Sequence, residues 1–369
     1  MINRLYTLFL SLFVSLVAYG QTAGTIASKD AMLYDSSRHL YEKGNKLTIV
    51  SKDLEWPKGL GGSVLTELQQ YLTTFFFGQA SDSYDAGWKQ FESLQGKEVH
   101  AIKDDTGTER RYYDMVLRCL WLEQGRYVSF LARLEERNET SVITQKYSYF
   151  TFDLINKKVL TQKDVFNQTR MWQDANIRSQ FCELLDYMAN THTADSIDWD
   201  HLPNQFALEG QNIRFDLGVD KSGGVYSDVT DDMVDVLFSK DFKRWMKQKV
   251  STEGNTNLPM EAVYTTLPTD SVFPEVLPQF QGNVAAAIGQ SLSYTSITPE
   301  TTPVTKTFVS FIVDLDGSLK DITFLTVNNI ELNRAIAAAL QLLTGWKPAM
   351  HNGKPVACRY NLPLILHFQ

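Results

Sequence analysis

The side chains that could carry chemistry in this 369-residue sequence are concentrated in one acidic segment, residues 192–201. Its candidate ligands are His192, Asp195, Asp198, Asp200 and His201. Imidazole and carboxylate groups are common ligands of divalent cations. Their spacing, however, fits neither an EF-hand loop nor a helical pair of histidines. We therefore interpret this segment as a solvated loop between a helix and a strand, and we predict no metal site.

Other patterns that resemble catalytic motifs lack the context their chemistry requires. Ser222, Gly223 and Gly224 are not placed between the strand and helix that form a nucleophile elbow, so they predict a turn. Glu135 and Glu136 have no partner that the sequence can place for glycosidase chemistry. No phosphate-binding loop or dinucleotide fingerprint is present. The sequence therefore predicts a protein with no catalytic residue and no cofactor.

Composition defines the broad class of protein. Hydrophobic residues make up 43% of the chain and charged residues 21%, which is enough apolar material for packed cores. The net charge is -8, whereas phosphate binding requires a concentrated basic surface. We therefore expect a globular protein that binds no nucleic acid.

The first twenty residues have the pattern of a secretory signal peptide. Arg4 precedes an uncharged apolar run over residues 5–19, and small residues Ala18 and Gly20 precede Gln21 as at a cleavage site. The alternative is an uncleaved inner-membrane anchor, but fifteen helical residues span only about 22 Å of a hydrocarbon core that is about 30 Å thick. We predict a periplasmic protein that is cleaved after residue 20.

The cysteines are too few and too dispersed for a disulfide framework. Only Cys119, Cys182 and Cys358 are present, and their spacing does not match a zinc site. Cys358 falls in an alternating apolar pattern, which favours burial. We expect buried thiols, with a Cys119–Cys182 bridge as the alternative.

The chain after the signal peptide is predicted to contain two α+β domains. Residues 21–45 show no clear periodicity and are interpreted as a leader. Residues 46–250 combine strand and helix patterns, beginning with a strand that we expect to stop at Pro57. Residues 251–270 are interpreted as a linker, because six of the eleven prolines lie in 251–305. The second domain covers residues 271–369.

The second domain has the clearest pattern. Two strands joined at Asp316-Gly317 precede a helix over residues 332–343, and an alternating strand over 356–368 follows. This β-β-α-β order predicts one helix over one face of a small antiparallel sheet.

This C-terminal region resembles the TonB C-terminal domain in its Bacteroidetes energy-transducer form. The resemblance is carried by Leu277-Pro278-Gln279-Phe280-Gln281-Gly282, residues 309–317, Gly345-Trp346-Lys347-Pro348-Ala349, residues 352–356 and Leu362-Pro363-Leu364. In that family the domain binds a short segment of an outer-membrane receptor by adding a strand to its sheet. The resemblance therefore implies a protein partner, although residues 295–305 are longer and richer in proline and threonine than the family pattern.

The middle region is similar to the domain shared by RsiV-type anti-sigma factors and some exported peptidoglycan deacetylases. The matching residues are Asp53-Leu54-Glu55-Trp56-Pro57, residues 149–154 and Leu160-Thr161-Gln162-Lys163-Asp164-Val165-Phe166. The Gly-Ala-His segment and the Tyr-rich strand of that family are missing. The resemblance therefore implies the fold alone, an RsiV-like α+β domain.

These patterns favour a non-enzymatic periplasmic protein that docks an outer-membrane receptor segment or another envelope protein. The final strand would supply an exposed sheet edge for an added strand, bordered by Arg359, Asn361 and His367. Two alternatives stay open. One is an anchored TonB-type energy transducer; the other is an RsiV-like envelope sensor that binds cell-wall glycan or a lysozyme-like protein. The sequence does not specify the oligomeric state.

Overall fold

The structure is a computed structural model of the whole chain. It describes residues 20–22, 30–60, 65–101, 107–167, 174–176, 178–179, 205–210, 212–215, 225–228, 238–250, 258, 263–265, 274–292, 304–327 and 329–367. In these residues the protein has the predicted α+β fold, with helices and β-strands in both halves of the chain. None of the helices described is long and apolar enough to cross a membrane. The predicted signal peptide lies outside the described residues up to position 19.

The helices are α1 (Thr66–Phe77), α2 (Tyr84–Gln95), α3 (Gln162–Val165), α4 (Lys240–Met246), α5 (Val284–Leu292) and α6 (Ile330–Leu342). The first strands are β1 (Gly20–Thr22), β2 (Ala31–Lys43), β3 (Lys46–Gly59), β4 (Lys97–Glu98), β5 (Glu109–Glu123), β6 (Tyr127–Asn138), β7 (Val142–Asp153) and β8 (Lys158–Val159). The next are β9 (Phe206–Glu209), β10 (Asn212–Phe215), β11 (Val225–Asp228), β12 (Val263–Thr265) and β13 (Gln279–Phe280). The last are β14 (Val304–Val313), β15 (Leu319–Phe324), β16 (Trp346–Lys347), β17 (Ala349–His351), β18 (Lys354–Val356) and β19 (Cys358–His367).

The chain divides into two compact units. The middle unit consists of Ser36–Glu55 and Val64–Glu253, and the C-terminal unit of Met1–Asp35, Trp56–Ser63 and Gly254–Gln369. Strands β2 and β3 contribute residues to both units, because the boundaries fall inside these strands. The C-terminal unit is therefore assembled from three chain segments, whereas the sequence predicted a continuous domain over 271–369.

Three of the predicted segments differ from the structure. The leader over residues 21–45 contains β2, whose consecutive buried residues Met32, Leu33 and Tyr34 give no alternating signal. Strand β3 continues through Pro57 to its end at Gly59 instead of stopping there. The predicted linker over residues 251–270 contains β12. Strand β2 pairs with β15 and β12 pairs with β19, both distant in sequence, and local patterns do not report such pairing.

The middle unit is built on the four strands β3, β5, β6 and β7. Strand β5 runs parallel to β3 and antiparallel to β6, which in turn pairs antiparallel with β7. Helices α1 and α2 pack aromatic side chains against this sheet, with ring centroids 4.7 Å apart for Tyr71 and Phe150 and 5.3 Å apart for Phe91 and Tyr113. These helices and strands confirm the sequence prediction, including the left-handed residue Gly78 that ends α1.

A small antiparallel sheet of β9, β10 and β11 packs against the same unit. The Leu208 N–H donates to Oγ1 of Thr151 in β7 at 2.9 Å, which fixes β9 against the large sheet. The turn after β9 contains Gly210 with a φ of 65°, a left-handed conformation that glycine adopts readily. Apolar spacing also predicts helices over residues 172–188 and 231–246; the first lies largely outside the described residues, and so does the start of the second.

The C-terminal unit contains the predicted β-β-α-β order as β14, β15, α6 and β19. These three strands lie in a wider sheet than predicted, in the order β1-β12-β19-β14-β15-β2. Asn329 caps the N-terminus of helix α6, and its side chain accepts the Leu332 N–H at 2.8 Å. The fully buried Asn333 donates to the Thr326 carbonyl at 2.9 Å and lies 3.2 Å from Oγ1 of Thr307. This polar contact fixes the position of the helix on the sheet.

Candidate functional site

The final strand, β19, has unequal neighbours on its two sides. On one side β14 pairs with it along its full length, from Cys358 to His367. On the other side β12 pairs only with Arg359, Tyr360 and Asn361. No strand in the described part of the chain therefore covers the outer side of β19 beyond Asn361.

Phe308 of β14 shows which backbone groups of β19 face this outer side. The Phe308 carbonyl accepts the Leu325 N–H at 2.8 Å, and its own N–H donates to Oγ1 of Thr326 at 3.0 Å. Both backbone groups of Phe308 are thus used on the side away from β19. Because Pro363 lies opposite Phe308 in an antiparallel pair, the backbone of Pro363 also points away from β14.

Backbone direction alternates along a strand, so Ile365 and His367 present their N–H and carbonyl groups on the same outer side as Pro363. Ile365 is also 43% exposed, whereas Leu364 beside it is 2% exposed. Pro363 has no N–H to offer, as is usual for prolines on the outer side of edge strands. We call this stretch, residues 363–367, the outer rim. It offers backbone donors and acceptors to an added strand.

The predicted border of the docking groove needs correction at two of its three residues. Arg359 and Asn361 lie where β12 covers the strand, and Asn361 is 2% exposed. The Arg359 guanidinium pairs with Asp321 and donates to Oγ of Ser310 at 3.0 Å. These two residues hold the sheet together and do not line an open edge. His367 pairs with Val304 at the end of the outer rim, and its side chain lies outside the described part of the structure.

Asp321 joins three strands beneath this edge. Its carboxylate binds Arg359 of β19, and its Oδ1 lies 2.6 Å from Nζ of Lys58 in β3. Oδ1 also lies 3.2 Å from Oγ1 of Thr323. The side chains of the three charged residues are only 18–27% exposed, so the pairs are partly protected from solvent.

The two cations also control the protonation of Asp321. Burial acts to raise its pKa, but Lys58 and Arg359 together lower it below its ordinary value. The residue has a φ of 49°, which is rare outside glycine and is best tolerated by Asn and Asp. The left-handed backbone occurs where β15 carries an irregularity opposite β14. The carboxylate is therefore ionised at neutral pH.

The middle unit contains a second charged cluster, in which one cation lies between two carboxylates instead of one carboxylate between two cations. Arg118 of β5 pairs with Asp53 and with Glu55 of β3, and its Nη1 lies 3.1 Å from Oε1 of Glu55. The Glu55 side chain is 1% exposed, and its second oxygen accepts the Cys119 N–H at 2.8 Å. This cluster connects two parallel strands and presents no reactive group in a cleft.

The structure gives ordinary partners to the carboxylates considered for glycosidase chemistry. Glu136 pairs with Arg111 and accepts the Tyr113 hydroxyl at 2.8 Å, and burial together with Glu136 raises the pKa of Tyr113 to about 12. Glu135 lies 3.8 Å from Nε of Arg137. The two glutamates are consecutive residues of β6, so their side chains point to opposite faces of the sheet and cannot form a catalytic pair with each other.

Several of the sequence candidates lie outside the described residues. They are the acidic segment 192–201, the turn residues 222–224 and Cys182. Among the residues that the structure does describe, no group of three or more His, Cys, Asp or Glu could hold a metal ion. Cys119 and Cys358 are buried thiols, as expected, and burial raises the pKa of Cys358 to about 11.

Sequence reasoning did not single out Lys58 or Asp321. Asp321 lies inside the six-residue strand β15, and Lys58 is far away in sequence. Only the pairing of distant strands brings Lys58 and Arg359 together at Asp321. Sequence reasoning also did not single out Trp121, which is one of many aromatic residues in strand patterns. Its side chain is 39% exposed in the structure, and this exposure follows from tertiary packing.

Comparison with known proteins adds a likeness to two solved structures. No protein-family model and no curated protein matches the chain. The chain is similar to a member of the DUF3298 family from Bacteroides fragilis, with a TM-score of 0.43 and 14% identity over 60% of this chain and 100% of that one. It is also similar to a DUF3298 family protein from Pseudomonas aeruginosa PAO1, with a TM-score of 0.37 and 10% identity over 59% and 98%.

Proposed function

We propose that this protein is a non-enzymatic periplasmic binding protein whose last strand docks an extended segment of another envelope protein. The observation that supports the proposal is the unequal pairing of β19. Strand β14 covers one side over ten residue pairs, whereas β12 covers three residues of the other side. An incoming strand would continue the sheet along the outer rim, residues 363–367.

Main-chain hydrogen bonds would provide the affinity for the partner segment. The outer rim offers the Pro363 carbonyl and both backbone groups of Ile365, and an antiparallel or parallel strand can use these groups. The exposed Ile365 side chain provides one apolar contact on the face of the sheet. The TonB resemblance of the C-terminal region supports an outer-membrane receptor segment as the occupant.

Cross-linking from the outer rim tests the proposal. A photoreactive amino acid at position 365 should cross-link to an extended segment of an envelope protein in cells, and mass spectrometry should locate that segment. The same amino acid at Leu315, which is 53% exposed in the turn after β14, is the control position. Identical adducts from both positions, or none from position 365, would contradict docking at the rim.

A pair of variants then separates backbone from side-chain recognition. Ile365→Pro removes an outward N–H but leaves the bonds between β19 and β14, which use Leu364 and Leu366. Ile365→Thr keeps the backbone and the strand preference. We expect the proline variant to lose binding of the cross-linked segment, supplied as a synthetic peptide, and the threonine variant to keep it.

We infer that the middle unit is an RsiV-like domain. Two of the motifs that carry this resemblance lie close together in the chain: residues 149–154 form the end of β7, and residues 160–166, which follow β8, contain α3. Thr161 and Asp164 form a capping box at the start of α3, which explains the local sequence Leu-Thr-x-x-Asp.

Export by a signal peptide is part of the same proposal. The fate of the N-terminal segment also separates this proposal from an anchored energy transducer. N-terminal sequencing of protein from the envelope fraction should give a chain that begins at Gln21. A retained N-terminus in the inner-membrane fraction would favour the transducer instead.

A further inference from the structure

We propose that Trp121 and Glu123 form a carbohydrate-binding site on the middle unit, which takes a sugar ring of a glycan chain. The first observation is the exposure of one indole. Among the large hydrophobic side chains exposed in the described residues, Trp121 is the one aromatic, at 39%. In contrast, Trp56 and Trp346 are 0% and 6% exposed.

The Trp121 indole lies against the turn between β9 and β10. A Cβ atom at Gly210 would lie 2.9 Å from Cζ2 and 3.1 Å from Cη2 of the indole, so the ring lies directly against the glycine backbone. The Gly210 N–H in turn donates to the hydroxyl of the fully buried Tyr127 at 3.1 Å. The indole is thus supported from behind by a fixed backbone, and binding a ligand would cost it little conformational freedom.

Polar groups flank the exposed ring on the same face of β5. Glu123 is two residues from Trp121, so the two side chains lie on one face about 7 Å apart along the strand. The Glu123 side chain is 42% exposed, and its Oε1 lies 3.4 Å from Nη1 of Arg126. The Arg126 guanidinium also donates to the Gln248 carbonyl at 2.7 Å, so the partner of the Glu123 carboxylate is itself anchored.

This combination matches the chemistry of a pyranose ring. One face of such a ring carries C–H groups that pack on an indole, and its edge carries hydroxyl groups that donate to a carboxylate. An apolar protein partner would require a wider hydrophobic surface, but the other neighbours of Trp121 on this strand face are charged or buried. A glycan therefore fits this surface better than a hydrophobic peptide does.

Calorimetric titration of the full chain with chitotetraose tests the proposal. We expect the wild type to bind, Trp121→Leu to bind at least about tenfold more weakly, and Trp121→Phe to stay within a few-fold of the wild type. Glu123→Gln should weaken binding several-fold. Ile143→Ser, which changes a 48% exposed residue elsewhere in the unit, is the matched control and should bind as the wild type does.

Each result decides for or against the site. Sorbitol, which has hydroxyl groups but no ring face, should not compete with chitotetraose. Equal binding by Trp121→Leu and the wild type, competition by sorbitol, or no binding of chitotetraose by the wild type would overturn the proposal. If the leucine variant unfolds, the phenylalanine variant and Glu123→Gln still report on the site. The docking variant Ile365→Pro should leave this titration unchanged, so the two proposals fail independently.

Discussion

The recognition surfaces proposed for the two units differ in kind. In the middle unit the exposed group is a side chain, Trp121, which lies on the face of a strand. In the C-terminal unit the exposed groups belong to the backbone, along the outer rim of β19. A side chain on a face can select a ligand by shape and chemistry, whereas a strand edge binds many sequences through the same main-chain bonds. Side-chain substitutions therefore test the surface at Trp121. A proline substitution, which removes a backbone N–H, tests the outer rim.

Each unit also contains a cluster of three charged residues that connects its strands. The signs of the charges in one cluster are the reverse of those in the other. In the middle unit one cation, Arg118, lies between two carboxylates. In the C-terminal unit one carboxylate, Asp321, lies between two cations. In both clusters the central residue carries the opposite charge to its two partners, so removing it leaves two like charges close together. The clusters differ in burial, and we expect the loss of stability on substitution to follow that difference.

The largest effect is expected in the middle unit. Arg118→Met would leave the Glu55 carboxylate buried without its guanidinium partner, and we expect a loss of about 3 kcal/mol in the free energy of unfolding. Urea denaturation measures this loss. Arg244→Met is the control, because Arg244 and Asp241 are at least 80% exposed and their pair should contribute well under about 1 kcal/mol. Equal losses in the free energy of unfolding for the two variants would show that the burial of Glu55 does not determine the contribution of its ion pair.

Asp321→Asn should have a smaller effect, about 2 kcal/mol, because solvent partly screens this cluster. Asparagine is the appropriate replacement, since it tolerates the left-handed backbone at this position and so removes only the charge. The free energy of unfolding in urea again measures the effect. Asp316→Asn changes a carboxylate in an exposed turn and should have less effect; the reverse order would contradict the role assigned to Asp321.

The same cluster predicts a specific dependence on pH. The folded state lowers the pKa of Asp321, so its contribution is complete above the unfolded value of about 4 and is lost as the pH falls through the folded value. The unfolding free energies of the wild type and Asp321→Asn should therefore converge as the pH falls below about 4. Curves that stay parallel would mean that the charge of Asp321 does not stabilise the fold.

The smallest effect expected is the difference between alanine substitutions at two glycines with nearly equal backbone angles. Gly44 and Gly210 have φ values of 64° and 65°, but a Cβ at Gly44 would meet nothing within 4 Å. Alanine at either position should cost about 1–2 kcal/mol for the left-handed backbone. Gly210→Ala should cost more, because it also displaces the Trp121 indole, and acrylamide quenching should then report a change in tryptophan exposure. Identical behaviour of the two variants would mean that Gly210 does not support the ring.

Local patterns predicted much of this fold, because its long strands and helices have strong periodicity. The strands β5 to β7, the helices α1 and α2, and the β-β-α-β order of the C-terminal unit follow from apolar spacing and turn residues. In contrast, the pairing of β2 with β15 and of β12 with β19 joins strands that are distant in sequence. Two of the three predicted border residues, Arg359 and Asn361, were wrong for the same reason: alternation along β19 does not show that β12 covers this part of the strand.

Amide hydrogen exchange at Ile365 tests most directly whether the outer rim is open and accepts a partner strand. In the unliganded protein the Ile365 amide should exchange faster than the Leu364 amide, which faces β14, and faster than the Asn361 amide, which faces β12. Addition of the cross-linked partner segment as a peptide should slow exchange at Ile365 and leave Asn361 unchanged. An Ile365 amide that is already as protected as Asn361 without the peptide would contradict docking at this rim.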